Sequence, residues 1–125
     1  MLEFSVTLTD KPGELAAVAS AVGDEGINIL GCVGMAHSSA SVTMVTDDEE
    51  ATSKVLESMG RKFETNELIL TSLSNKPGAL AEMATKLSES GVNIVSLYIM
   101  KMELDMADIA LTTNNPSKTK EILGI

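Results

Sequence analysis

Two stretches of this 125-residue chain set proline and glycine side by side ahead of an apolar helical pattern: Asp10-Lys11-Pro12-Gly13-Glu14-Leu15-Ala16 and Asn75-Lys76-Pro77-Gly78-Ala79-Leu80-Ala81. Proline fixes φ and needs no N–H partner in a first helical turn, while glycine lets another group approach the main chain closely. A helix that begins this way presents unpaired N–H donors, which suit a carboxylate. Further along, Asn28 and Asn93 each follow a glycine and a β-branched residue. A side-chain amide has both donors and an acceptor, so it can meet the ammonium and the carboxylate of a free amino acid. Each feature also has a plainer reading, since Pro-Gly punctuates helix starts and Asn after Gly serves in turns. Their repetition favours a ligand.

The repetition is extensive. Sliding the sequence by 65 positions aligns residues 10–29 with 75–94 at nine identities in twenty, where random composition would give roughly one or two. Each copy reads as strand, loop, helix, strand, strand, helix. Phe4, Val6 and Leu8 alternate with Glu3, Ser5 and Thr7, the period of a strand with one buried face. Leu15, Val18, Ala19 and Val22 follow at helical spacing, then extended runs at 27–35 and 40–46. The acidic residues Asp47 to Glu50 suit a helix N-terminus, and Val55, Leu56 and Met59 supply that helix's apolar side. A short strand is expected at 62–65, joined by Asn66-Glu67 to the next copy. There the same order places strands at 68–73, 93–101 and 108–113, a helix at 79–90 with Leu80, Met83, Ala84 and Leu87 inward, and a last helix begun by Asn115-Pro116. The second copy has no closing strand. βαββαβ is the split arrangement of ferredoxin-like domains, an antiparallel sheet with both helices on one face. Units of this size bury too little surface to be secure alone, so residues 1–66 and 67–125 are expected as two paired domains.

The pattern Asp/Asn-Lys-Pro-Gly-x-Leu-Ala followed by Gly-Ile/Val-Asn-Ile resembles the ACT domain, a small amino-acid-sensing module, and both copies carry it. The resemblance implies an α+β fold of two ferredoxin-like βαββαβ ACT units side by side, the second lacking its last strand, with an amino acid at their junction. It implies that Asp10, Pro12, Gly13 and Asn28 of the first copy and Asn75, Pro77, Gly78 and Asn93 of the second contact that ligand. It also implies a non-enzymatic regulator that needs no cofactor. A rival role is a regulatory subunit of an amino-acid biosynthetic enzyme, as in acetolactate-synthase small subunits. Some serine-sensing ACT domains carry a histidine two residues before the Asp/Asn position, and here Leu8 and Leu73 stand there, so serine specificity is unsupported. Asp10 is acceptor-only when ionised whereas Asn75 also donates, which predicts unequal sites in the two copies.

Composition removes other classes. Nine Lys and Arg against eighteen Asp and Glu give a net charge of −9, with two Phe, one Tyr and no Trp. Phosphate backbones would be repelled and bases find few stacking partners, so neither nucleic acid nor an anionic membrane surface is an expected partner. No apolar run approaches the ~18 residues of a membrane span, and Met1-Leu2-Glu3-Phe4 does not open like a signal peptide. A single Cys32 precludes an internal disulfide and fits a reducing cytoplasm. Eight methionines with Cys32 and His37 could form a soft-metal site, but there is no second Cys or His, and methionine fills cores poor in aromatics. Ser38, Ser39 and His37 lack a triad's context, and no phosphate-cradling glycine motif occurs. Cys32 is expected to be buried on a central strand. By alternation Leu30, Cys32, Leu70, Val95, Leu97 and Ile99 share the sheet face away from the helices, and a face so apolar predicts a covering second copy, hence a homodimer.

Overall fold

The computed structural model describes residues 1–125. They form two compact units, Met1–Asn66 and Glu67–Ile125. The first runs β1 (Leu2–Thr7), α1 (Glu14–Asp24), β2 (Ile29–Met35), β3 (Ser41–Thr46), α2 (Glu49–Ser58) and β4 (Phe63–Glu67). The second runs β5 (Ile69–Ser74), α3 (Ala79–Glu89), β6 (Ile94–Met102), β7 (Met106–Thr113) and α4 (Pro116–Leu123), with no closing strand. The fold is therefore α+β, with βαββαβ-type units. Strands lie in the orders β2-β3-β1-β4 and β5-β7-β6, antiparallel where β3 meets β1 and β2 and where β7 meets β5 and β6. No helix is long and apolar enough to cross a membrane.

Each unit owns a core. In the first, Phe4 and Val6 of β1 stand opposite Met44 and Val42 of β3 and pack against Val18 and Val22 of α1 and Val55 and Leu56 of α2. In the second, Ile69, Ala107, Ile109 and Leu111 pack against Met83 and Leu87 of α3. Alternation along the strands and helical spacing along α1 and α3 bring these side chains to one layer. The starts of α2 and α4 are capped alike. Asp48 accepts a hydrogen bond from the Ala51 N–H at 3.0 Å, and Asn115 accepts one from the Lys118 N–H at 3.1 Å. Pro116 takes the first helical position.

Several expectations are corrected. β4 begins at Phe63 and continues through Glu67, so Asn66-Glu67 belongs to a strand and only Leu68 separates it from β5. Leu15 and Leu80 are half exposed rather than inward, because they sit in the first turns of α1 and α3. The supposed apolar open face also breaks up. Register shifts lie between Ile29 and Gly31 in β2 and between Ile94 and Ser96 in β6, and a bulged residue moves everything after it to the other face. Cys32 thus stands opposite Met44, Leu97 opposite Leu111 and Ile99 opposite Ile109, all partners from the helix-covered cores. Leu70 still faces away, opposite Ala110, and Leu30 and Val95, the residues at the two bulges, are exposed. Cys32 is exposed, since β2 is an edge strand and not a central one.

Candidate functional site

The repeated Pro-Gly segment is a tight turn. Glu14 N–H points to Lys11 O at 3.5 Å, and Gly13 has φ 90° and ψ −8°. In the second unit Ala79 N–H donates to Lys76 O at 3.3 Å, and Gly78 has φ 87° and ψ −11°. These are type II turns, with proline at the second position and glycine at the third, where φ must be positive. A Cβ at either glycine would meet nothing within 4 Å. Glycine is required here by conformation and not by close approach of a neighbour. Neither α1 nor α3 has a side-chain cap, so beyond Glu14 and Ala79, whose N–H groups turn to the loop carbonyls, the N–H groups of the first turn suit another acceptor.

Glu14, which the sequence does not single out, organises the first loop. Its Oε1 accepts the Thr9 N–H at 2.8 Å, and Arg61 donates from Nη1 to Oε1 and from Nη2 to Oε2, each at 2.9 Å. The hydrogen bonds from Arg61, then from the Thr9 main chain, hold this carboxyl at about 2, far below its ordinary 4.5. The same bonds raise the Arg61 guanidinium. In the second unit Ala79 occupies the corresponding place.

Beside this loop the first unit has a cavity of about 270 Å³, bounded by Leu8, Thr9, Asp10 and Lys11 of the loop, Leu15 of α1, Met35 at the end of β2, and Ala40 to Val42 of the hairpin. That is just under the ~300–1,000 Å³ of drug-sized pockets, a scale for a small metabolite. Its walls are mainly apolar, and Asp10 and Lys11 bring opposite charges to its rim. Both oxygens of Glu14 are already engaged, which leaves Asp10 as the carboxylate free to take a cation. The hairpin wall is missed by the sequence, because only the register of β2 on β3 brings Met35 opposite Ser41.

The second loop is arranged differently. Asn75 Nδ2 donates to Glu103 O at 2.7 Å, and the Asn75 N–H donates to Asp105 O at 2.8 Å. β6 and β7 have nine and eight residues against seven and six for β2 and β3, so their turn reaches the loop and occupies this amide.

Asn28 and Asn93 lie elsewhere in their units. Asn28 N–H donates to Asp47 Oδ1 at 2.9 Å while Asp47 N–H donates to Asn28 O at 3.1 Å. Asn93 N–H donates to Asn114 Oδ1 at 3.0 Å while Asn114 N–H donates to Asn93 O at 3.1 Å. These clasps use the main chain of Asn28 and Asn93, whose residues are otherwise exposed. Thr7 is level with Ser41, whereas Ile29 is level with Thr46; five residues of strand separate them, about 17 Å at ~3.4 Å per residue. Within the first unit, therefore, the Asp10 loop and Asn28 stand at opposite ends of the sheet. Asp10, Pro12 and Gly13 are together, as are Asn75, Pro77 and Gly78, and the asparagines at 28 and 93 are not with them.

No protein-family model and no curated protein sequence matches the chain. Solved structures do. A protein from Bacteroides thetaiotaomicron superposes with a TM-score of 0.86 over 98% of this chain and 85% of that one, at 24% identity. The ligand-free regulatory subunit of aspartate kinase from Thermus thermophilus gives 0.71 over 98% and 87%, at 16% identity. The corresponding regulatory subunit from Thermus flavus gives 0.72 over 98% and 88%, also at 16%. At these identities the likeness is one of fold. The fold is ACT-like.

Proposed function

We propose that this protein is a regulatory amino-acid-binding protein, and that its first loop, Asp10 to Gly13, receives the ligand. The cavity beside that loop carries the reading. Asp10 would take the ammonium, while Lys11 and the uncapped N–H groups of α1 would face the carboxylate, with Leu8, Leu15 and Met35 left to the side chain. The turn at Pro12-Gly13 completes this contact set; Asn75, Pro77 and Gly78 would form a second, unequal site in the other unit, and Asn28 and Asn93 would serve a ligand only from the opposite ends of their sheets. A ligand bound only by one arrangement of the chain shifts the population toward it, which is what regulation needs.

A thermal-shift screen of the twenty amino acids tests this, since a ligand specific to the folded state raises its apparent stability. A stabilising amino acid whose effect disappears in Asp10→Ala supports the reading. No shift with any of the twenty at millimolar concentration contradicts it.

A second reading is a regulatory subunit acting on a separate biosynthetic enzyme. It is favoured by the extent of the fold likeness, which runs through nearly all of this chain and most of the two Thermus subunits. A stoichiometric enzyme captured from native lysate, in an amino-acid-dependent manner, would support it.

A further inference from the structure

Gly34 sits inside β2, level with Val42 of β3, and Val42 is in turn level with Val6 of β1. Residues opposite one another in an antiparallel pair point to the same face, so the side chain that Gly34 lacks belongs to the helix-covered layer of Val6 and Val42. Nothing in the backbone asks for glycine there. Its φ is not positive, and a Cβ built on it would meet no atom within 4 Å. A glycine in a strand interior weakens it, through lost packing and the ordering of a freer chain. The repeat shows the alternative. In the second unit the same place, opposite the core residue Ile109, holds Ile99, so the scaffold accepts a β-branched side chain at this point.

Gly34 borders the cavity of about 270 Å³ beside the Asp10 loop, and the space left by its missing side chain opens into that cavity. The charged residues on the cavity are Asp10, Lys11 and Glu14, and both oxygens of Glu14 are held by Arg61 and the Thr9 N–H. Once Asp10 and Lys11 face the ammonium and carboxylate of an amino acid, no charge remains for its side chain, and burying an unpaired charge is costly. Apolar wall is available instead. Leu15 and Met35 are each 52% exposed, with Leu8 and Val42 also on the cavity, and covering such surface is favourable.

We propose that Gly34 sets which amino acid this cavity takes: by carrying no side chain it leaves room for the branched or thioether side chain of leucine, isoleucine or methionine. Gly34 can play this part only if the Asp10 loop receives an amino acid, as proposed above. Valine at this position would refill the space much as Ile99 does in the second unit, and alanine would refill it in part. Because glycine weakens a strand, both substitutions preserve or strengthen the fold while they weaken the ligand. That divergence separates a residue that sets specificity from a structural one, whose replacement would lower stability and binding together.

Titration calorimetry of the 125-residue chain with leucine, isoleucine, methionine, alanine, aspartate and lysine tests this, beside urea unfolding of each variant. The natural chain should bind leucine, isoleucine or methionine more tightly than it binds alanine, aspartate or lysine. Gly34→Ala should weaken that binding by about tenfold or more, the scale of one methylene in an apolar pocket. Gly34→Val should abolish it, and neither variant should lower the urea midpoint. Should Gly34→Val fail to fold, Gly34→Ala reads the same effect. If the natural chain binds no amino acid, the site itself falls and the role of Gly34 with it. If it binds one that Asp10→Ala loses, yet that ligand is charged or its affinity is unchanged in Gly34→Ala and Gly34→Val, the site stands and the role of Gly34 is overturned.

Discussion

Glu14 and Arg61, 47 positions apart in the chain, form a two-pronged ion pair with both bonds at 2.9 Å. It ties the first turn of α1 to the segment that leads into β4, and through Glu14 Oε1 it also fixes the Thr9 N–H. The Asp10 loop is thereby held from both sides.

This pair makes stability depend on pH in a stated direction. The Glu14 carboxyl is depressed in the folded state, to about 2 from 4.5. A depressed carboxyl stabilises fully above its unfolded value and loses that contribution as pH falls through its folded value. The urea midpoint of the natural chain should therefore exceed that of Glu14→Gln at pH 7, and the gap should narrow from about pH 5 to pH 2. A constant gap across that range would show that the carboxylate's charge is irrelevant.

The two loops should respond differently to equivalent substitutions. Asp10→Ala removes an acceptor for a charged ligand group, an interaction worth about 1.5–3 kcal/mol, or ten- to a hundredfold in Kd. Asn75→Ala instead breaks a bond to Glu103 O inside the second unit and should lower stability by about 1 kcal/mol while leaving the first site's affinity unchanged. Titration calorimetry and urea unfolding of both variants separate the outcomes. Equal loss of affinity in both would mean that Asn75 shares the ligand.

Gly13 and Gly78 should each reject alanine. Their φ values of 90° and 87° lie where a Cβ is strained even in open space, and the left-handed penalty is roughly 1–2 kcal/mol per residue. Gly13→Ala and Gly78→Ala should each lower the unfolding free energy by that amount, and Asn substitutions by less, since Asn tolerates this region better. Chemical denaturation measures both. A neutral Gly13→Ala would place the strain elsewhere.

Much of this arrangement is legible in the sequence because it is written twice in local signals. Alternation finds β1 and β5, and the Pro-Gly pairs mark their turns. What escapes is non-local. Arg61 reaches Glu14 only after α2 has returned the chain, so no spacing rule joins them. The bulges near Ile29 and Ile94 follow from how β2 and β6 meet their neighbours, and they reverse the faces assigned to Cys32, Leu97 and Ile99. The hairpins also change the repeat's offset from 65 to 67: Thr46 and Thr52 correspond to Thr113 and Thr119, and Asp48 to Asn115.

Those threonines form the most closely repeated feature of the two cores. Thr46 and Thr52 share a hydroxyl hydrogen bond at 2.7 Å, Thr113 and Thr119 share another at 2.7 Å, and all four residues are buried. Thr52 Oγ1 further donates to Asp48 O at 2.7 Å and Thr119 Oγ1 to Asn115 O at 2.8 Å, so each pair fastens the end of a central strand to the first turn of a helix. Thr52→Val keeps the volume but removes the 2.7 Å partner of the Thr46 hydroxyl and the 2.7 Å donor to Asp48 O, leaving only the longer Thr46–Asp48 O contact at 3.4 Å, which costs about 1–3 kcal/mol. Thr119→Val should do the same in the second unit. The double substitution Thr46→Val/Thr52→Val removes both hydroxyls, so it should be less destabilising than Thr52→Val by itself. Urea unfolding of the single and double variants checks this ordering, and a double variant weaker than either single one would show that the hydroxyls act separately and not as a pair.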